Sequence, residues 1–200
     1  MSKANRCSGL RFVPGSAPVP ITLPLTFLVD GWSCEWSQCR LTGISRTRWR
    51  FARAGIWGNS LGGTLAALAA ATGTFFDAVC ANSGSAQPSE AGERFPRFLD
   101  KIAAMMGTAD RARGTDMLAR LDLSERLPDL SCPLLVLHGG NDTLFSQQNV
   151  RKIHDLAGSR DRTMLVWDDG EHCLYSYAAE RNAIVAGWFR TRLEREGGLQ

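Results

Sequence analysis

Residues 58–62 form a Gly-Asn-Ser-Leu-Gly pentapeptide between two segments of opposite character. Residues 54–57 (Ala-Gly-Ile-Trp) predict a short buried strand, and residues 62–71, rich in glycine and alanine, predict a closely packed helix. A strand that turns abruptly into a helix holds the serine between them in a strained turn, with its hydroxyl exposed at the carboxyl edge of a sheet. The pattern therefore predicts an α/β fold in which Ser60 is a nucleophile.

A serine hydroxyl becomes a nucleophile at neutral pH only beside a base, and the base needs an acid to orient it. Two apolar runs, 133–137 and 163–167, have the composition of strands buried on both faces, and a polar loop follows each. The first loop contains Asp142 and the second contains His172. Because functional groups gather at the carboxyl ends of parallel strands, we expect Ser60, Asp142 and His172 to form a catalytic triad there.

The acid of this triad has alternatives. Asp168 and Asp169 closely precede the histidine and can fill the same role. An Asn-Asp pair after two glycines, as at Asp142, is also good turn chemistry. Of the other two histidines, His138 follows a strand and is predicted to be structural, whereas His154 is predicted to lie on the solvated face of a helix.

The segment between the strands predicted at 76–81 and 133–137 is expected to form a helical lid over the site, at about 88–130. Apolar residues recur there at helical spacing, first Phe95, Phe98, Leu99, Ile102, Ala103, Met105 and Met106, and then Met117, Leu118 and Leu121. The methionines have two interpretations, an adaptable acyl or aromatic pocket and ordinary core contacts. A long amphipathic helix over 175–193 is expected to close the sheet without a catalytic role.

These motifs and their order, serine then aspartate then histidine, resemble the α/β-hydrolase superfamily. Within it, the chain is similar to the FrsA-like esterase group, which includes the 2,6-dihydroxypseudooxynicotine hydrolases and fungal pigment hydrolases. The resemblance rests on residues 55–63, 121–142 and 170–173, and more thinly on 24–33. It implies a mostly parallel sheet flanked by helices, with a short helical lid insertion and neither a metal nor an organic cofactor.

The resemblance also implies an oxyanion hole made of backbone N–H groups. Leu61, directly after the nucleophile, would supply one of them. The second would come from the loop after the strand at 25–29, with Trp32 as the first candidate and Gly31 as the next. Loss of one such donor typically lowers turnover by about 10²- to 10³-fold, so the second donor matters to the mechanism.

The chain departs from the family pattern just before the nucleophile strand. In the family a helix, a parallel strand and a second helix precede that strand, but about 20 residues separate Trp32 from Ala54. Since a single parallel crossover already needs about a dozen residues, the sheet is expected to be truncated in its N-terminal half. Either a shortened sheet still folds or an internal segment is missing. We favour the second, which would remove a strand beside the nucleophile strand.

The composition indicates a single domain over residues 1–200, since 44% of the residues are hydrophobic. The net charge is only +3, and the arginine-rich stretch 40–53 lacks nucleic-acid-binding motifs, so we expect a solvated connection and no nucleic-acid partner. Six cysteines without C-x₂-C spacing predict reduced thiols in a cytoplasmic protein without a metal site. The apolar stretch at 21–29 is too short to span a bilayer, so no membrane association is expected.

The function expected from these features is that of a serine hydrolase. Its substrate would be a small molecule, cleaved at an ester or at a carbon–carbon bond beside a ketone, and the FrsA-like resemblance keeps the second reaction open. A peptidase of the prolyl oligopeptidase type is the alternative within enzymes, although nothing in the chain can form the propeller domain usual for that type. A truncated, non-catalytic remnant is the alternative outside enzymes. A homodimer stays open as the assembly.

Overall fold

A computed structural model describes residues 27–30 and 53–193, and within them a five-stranded parallel sheet forms the centre of the fold. Its strands are β1 (Phe27–Asp30), β2 (Gly55–Asn59), β3 (Ala78–Asn82), β4 (Leu134–Gly139) and β5 (Arg162–Trp167). Each strand pairs with the next one along the chain. The apolar runs of the sequence therefore become adjacent parallel strands, and the predicted α/β-hydrolase-type fold is confirmed.

Helices cover both faces of this sheet. Over the described residues they are α1 (Leu61–Thr72), α2 (Glu90–Arg94), α3 (Leu99–Met105), α4 (Arg111–Ala119), α5 (Gln147–Leu156) and α6 (Ala178–Leu193). In this described part of the chain, no helix is both long and apolar enough to cross a membrane.

The alternation of strand side chains divides the core into two layers. Ile56, Val79 and Val136 point to one face, where they pack with α1 and α5. Their neighbours, among them Trp57 and Leu135, point to the other face, where α6 covers them. The helix predicted over 175–193 is thus the single helical layer on its side of the described sheet.

β2, the strand that precedes Ser60, has a neighbour on each side. Asn59, its last residue, is level with Asp30 of β1 and with Asn82 of β3. β1 fills the position beside β2, so the expectation that the absent strand lies there is wrong. β1 is itself the outer strand of the described sheet, which is consistent with the expected truncation of the N-terminal half. The short connection 31–52 that prompted the expectation lies outside the described residues.

Helices α2, α3 and α4 occupy the insertion between β3 and β4, where the lid was predicted. Two of them form a close hairpin, since a Cβ atom on Gly114 of α4 would lie 2.6 Å from Ala103 Cα of α3. The turn between them contains Gly107, whose φ of +73° favours glycine. The helical lid segment is therefore present, while a single domain over residues 1–200 stays a prediction.

Candidate active site

The turn between β2 and α1 holds Ser60 in a backbone conformation that is rare for residues other than glycine, with φ 57° and ψ −131°. The Ser60 N–H donates to the Asn82 carbonyl at 2.9 Å, which ties the turn to β3. A Cβ atom on Gly58 would lie 1.9 Å from the Gly62 carbonyl oxygen, so strand and helix approach too closely for any side chain there. The pentapeptide thus forms the strained strand-to-helix turn that its sequence predicts.

Ser60, His172 and Asp142 meet at the carboxyl edge of the sheet. His172 Nε2 lies 2.7 Å from Ser60 Oγ, and His172 Nδ1 lies 2.7 Å from Asp142 Oδ2. An ionised carboxylate can only accept hydrogen bonds, so Nδ1–H donates to it and Nε2 is left to accept from the serine hydroxyl. The three side chains form the hydrogen-bonded chain that a general-base mechanism requires.

The Asp142 side chain is fully buried and fixed from both oxygens. Its Oδ1 accepts from the backbone N–H groups of Leu144 (2.8 Å) and Phe145 (3.1 Å), which leaves Oδ2 for His172. The Phe145 ring also meets the His172 ring edge to face, with the centroids 5.6 Å apart. The carboxylate is therefore rigid, and the imidazole that it orients has an aromatic wall.

The protonation of His172 reflects two opposing effects. Burial, the largest single effect, disfavours the imidazolium and lowers the pKa of His172. The hydrogen bond and charge of Asp142, together with the neighbouring Cys173, outweigh burial and leave the pKa above its usual value of 6.5. An imidazole with a raised pKa is a stronger base toward the serine proton, once it is neutral.

The other candidate residues lie elsewhere. Asp168 and Asp169 are exposed, and Asp169 Oδ1 accepts from the Tyr177 hydroxyl at 2.7 Å instead of meeting the imidazole. His138 is buried with its Nδ1 atom 3.7 Å from Asp142 Oδ2, too far for a hydrogen bond, and burial lowers the pKa of His138. His154 lies on α5 with Nδ1 2.7 Å from Asp155 Oδ1. The geometry therefore favours Asp142 over the two alternative acids.

One of the predicted oxyanion donors lies within the described residues. Leu61 begins α1, and the first backbone hydrogen bond of that helix is donated by Gly63 to the Ser60 carbonyl at 2.8 Å. The Leu61 N–H precedes it, among the N-terminal N–H groups that a helix leaves without internal partners, and beside the serine. The other candidates, Trp32 and Gly31, lie outside the described residues.

An apolar cleft that opens to solvent adjoins the serine and forms the pocket of the site. Ser60 and Leu61 form one end of it, Phe145 forms another wall, and the lid helices supply Ile102 of α3 and Leu118 of α4, among others. No charged side chain of the described residues lines it. Both Met105 and Met106 pack against the core, and Met105 also lines this pocket.

Sequence reasoning missed a buried polar cluster beneath the histidine loop, formed by Asn59, Asn82, Ser83 and Arg181. The one available signal was the spacing of Arg181, which lies four residues before Val185 in the apolar stripe of α6. Because a charged residue in such a stripe is rarely buried, the pattern alone favours a solvated arginine.

Thiols and metal ligands give no second site in the described part of the chain. Cys80, Cys132 and Cys173 are free there, and burial raises the pKa of the Cys132 thiol to about 11. No cluster of histidine, cysteine and acidic side chains that could hold a metal ion occurs among the described residues.

The sheet is parallel, a strained turn after β2 holds a serine, and a histidine follows β5. Together these features define a protein of the α/β-hydrolase type. Solved structures with this fold include 2,6-dihydroxy-pseudo-oxynicotine hydrolase (TM-score 0.66, 20% identity), which aligns over 76% of this chain and 43% of its own. An esterase of Pyrococcus furiosus aligns over 74% of this chain and 58% of its own (TM-score 0.60, 15% identity). The acylaminoacyl peptidase of Pyrococcus horikoshii aligns over 74% of this chain and 25% of its own (TM-score 0.57, 17% identity). At these identities the likeness shows the fold alone.

The sequence itself defines the family. Residues 44–195 match the prolyl oligopeptidase family, and the chain belongs to that family. No curated protein matches the chain at a significant level. The chain spans less than half the length of the pseudo-oxynicotine hydrolase and about a quarter of that of the acylaminoacyl peptidase. Family and fold together identify a relative of the serine hydrolases of the α/β-hydrolase type.

Proposed function

We propose that this chain is a serine hydrolase that cleaves small esters with an apolar acyl group, using Ser60, His172 and Asp142. The observation that carries the proposal is the unbroken hydrogen-bonded chain from Ser60 Oγ through His172 to Asp142, with both links at 2.7 Å. The residues come from the ends of three different strands, so ordinary turn chemistry in one loop does not account for their meeting.

The geometry supports a two-step acyl transfer. Ser60 Oγ attacks the ester carbonyl carbon while its proton passes to His172 Nε2, and Asp142 stabilises the imidazolium that forms. The carbonyl oxygen becomes an oxyanion that the Leu61 N–H binds, and the second donor is expected from Trp32 or Gly31. Collapse breaks the bond to the alcohol, which takes its proton from His172. Water then attacks the acyl-serine by the same route and releases the acid.

The pocket beside Ser60 supports an apolar, uncharged acyl or aryl group. The walls that the described residues form are mainly aliphatic and aromatic, so a charged substrate group would lose its hydration against them without gaining a charged partner there. Cleavage of a carbon–carbon bond beside a ketone fits the same attack on a carbonyl carbon. The fold shared with a protein named 2,6-dihydroxy-pseudo-oxynicotine hydrolase keeps that reaction in the proposal.

A second candidate is a peptidase, which membership in the prolyl oligopeptidase family favours. An amide demands more of the same machinery than an ester, because its leaving amine must be protonated as the bond breaks. The triad described above supplies a proton at His172 for that step. Comparison of an ester with the matching amide substrate therefore separates the two candidates.

A fluorophosphonate probe tests the proposal. We expect it to modify wild-type protein at Ser60, as mapped by mass spectrometry, and to leave Ser60→Ala and His172→Ala unmodified. The matched control is Ser159→Ala, which removes another buried serine hydroxyl, bonded to the Asp161 carbonyl, and should label like wild type. Absence of labelling in folded wild-type protein would overturn the proposal in favour of a non-catalytic remnant.

A further inference from the structure

The peptide groups on either side of Cys173, the residue directly after His172, are held from three directions. The Cys173 N–H donates to Ser83 Oγ at 3.0 Å. The Cys173 carbonyl accepts from Asn82 Nδ2 at 3.0 Å and from Arg181 Nη1. Asn82 is the last residue of β3 and Ser83 follows it directly, whereas Arg181 lies on α6. The histidine loop is therefore anchored at two separate places in the fold.

The loop needs such anchoring because its backbone is strained. Cys173 has φ 66° and Leu174 has φ 57°, both in the left-handed region that residues with a Cβ atom seldom adopt. Two consecutive residues in this conformation persist only where the surrounding contacts hold them. The direction of the His172 side chain depends on this backbone, since the strained residue is the next one along the chain.

Arg181 is an unusual residue for this position. It is only 6% exposed, and a buried guanidinium normally pairs with a carboxylate. Over the described part of the chain, its hydrogen bonds go instead to the Cys173 carbonyl and to Asn182 Oδ1. Its guanidinium also lies 5.6 Å from the Trp57 ring centroid and 5.9 Å from that of Tyr175.

We propose that Arg181, together with Ser83 and Asn82, is a positioning residue: it fixes the Cys173 peptide and so aims the His172 imidazole at Ser60. The inference rests on the proposed function, because it assigns these residues to the alignment of that triad. Arg181 acts through the loop backbone and touches neither the substrate nor the reacting atoms. The closing helix of the sheet, for which the sequence predicted no catalytic part, thereby supports the general base.

The test is Arg181→Met, which keeps most of the side-chain volume against the Trp57 ring and removes the charge and the donors. A misplacement of about 1 Å at a reacting group can cost roughly 10²-fold in rate, so we expect kcat for a p-nitrophenyl ester to fall by about that factor. KM should stay within about 3-fold, because the pocket and Ser60 are unchanged. Arg181→Lys retains a donor that can reach the carbonyl and should recover part of the loss.

The matched control is Arg192→Met on the same helix. Arg192 binds Asp161 and lies over the Trp188 ring at 4.2 Å, so this variant removes a comparable arginine far from the histidine loop. It should keep wild-type kinetics. Wild-type kcat in Arg181→Met with an unchanged melting temperature would overturn the positioning role, as would equal losses in both variants.

Ser83→Ala decides the question if Arg181→Met does not fold. It removes only the hydroxyl that accepts from the Cys173 N–H. A lowered kcat at unchanged KM supports the proposal, and wild-type kinetics overturn it. Labelling of wild-type Ser60 by a fluorophosphonate separates the positioning role from the proposed function. If wild type is not labelled, the proposed function is refuted. If wild type is labelled and Arg181→Met or Ser83→Ala is equally fast, only the positioning role is refuted.

Discussion

Asp142→Asn changes one atom of the proposed triad, and the structure fixes how the new side chain must lie. The backbone N–H groups of Leu144 and Phe145 both point at Oδ1, at 2.8 and 3.1 Å. Only the oxygen of a carboxamide can accept from them, so the amide NH₂ must take the place of Oδ2, facing His172 Nδ1. The imidazole must then accept at Nδ1 and carry its proton on Nε2, where it cannot receive the serine proton.

The magnitude follows from this tautomer. A Ser-His-Asp triad whose carboxylate becomes a carboxamide retains its geometry but loses about 10⁴-fold in kcat. We expect the same factor here, with little change in stability, because the two backbone N–H groups keep their acceptor. In Asp142→Ala each of these N–H groups would lose its acceptor, which lowers the free energy of unfolding by about 1–3 kcal/mol for each buried donor. At roughly 2–4 °C per kcal/mol for a chain of this size, Asp142→Ala should melt several degrees lower.

The assay is ester hydrolysis together with thermal unfolding of both variants. Asp168→Asn and Asp169→Asn are the matched controls, since both residues are exposed and neither should affect kcat. The reasoning is refuted if Asp142→Asn retains activity within about 10-fold of wild type, or if Asp168→Asn or Asp169→Asn loses as much. A melting temperature in Asp142→Asn as low as in Asp142→Ala would refute the assigned orientation of the amide.

Three further predictions concern other parts of the site. The pKa of His172 lies above 6.5 because Asp142 and Cys173 together outweigh the effect of burial, and only neutral imidazole accepts a proton. The value of kcat/KM should therefore fall with decreasing pH along a limb whose midpoint lies above 6.5, and a midpoint at or below that value would contradict the raised pKa. Gly58→Ala should fail to fold, judged by circular dichroism, because its Cβ atom would lie 1.9 Å from the Gly62 carbonyl oxygen; a stable, active variant would contradict this. Met105→Ala should enlarge the pocket and so favour long acyl esters over acetate esters, with the ratio of their kcat/KM values rising by roughly 10-fold. An unchanged ratio would mean that the acyl group binds elsewhere.

Much of the fold was predictable because its signals are local. Apolar runs such as 133–137 and 163–167 became strands with ends shifted by at most two residues. β4 is buried along its whole length, as a continuous apolar sequence predicts, whereas the prediction of burial on both faces is wrong for β5, which is an outer strand of the described sheet and is only half-buried. The serine turn was predictable for the same reason: the glycines that allow β2 and α1 to approach stand within the same pentapeptide.

The position of β1 was harder to predict. The short connection before β2 suggested a missing neighbour, yet Asp30 lies level with Asn59 in a direct parallel pair. Which strands become neighbours depends on the path of the whole chain, and the length of one connection does not determine it.

The sequence by itself indicated most of the elements and the candidate nucleophile, histidine and acids, because each is marked by the residues next to it. The tertiary structure decided which acid meets the histidine, how the lid helices wall the pocket, and that a buried arginine holds the histidine loop. These contacts join residues far apart in the chain, 112 positions from Ser60 to His172 and 30 from Asp142 to His172. Distances of that kind depend on how the sheet and its two helical layers pack together, and no local pattern encodes them.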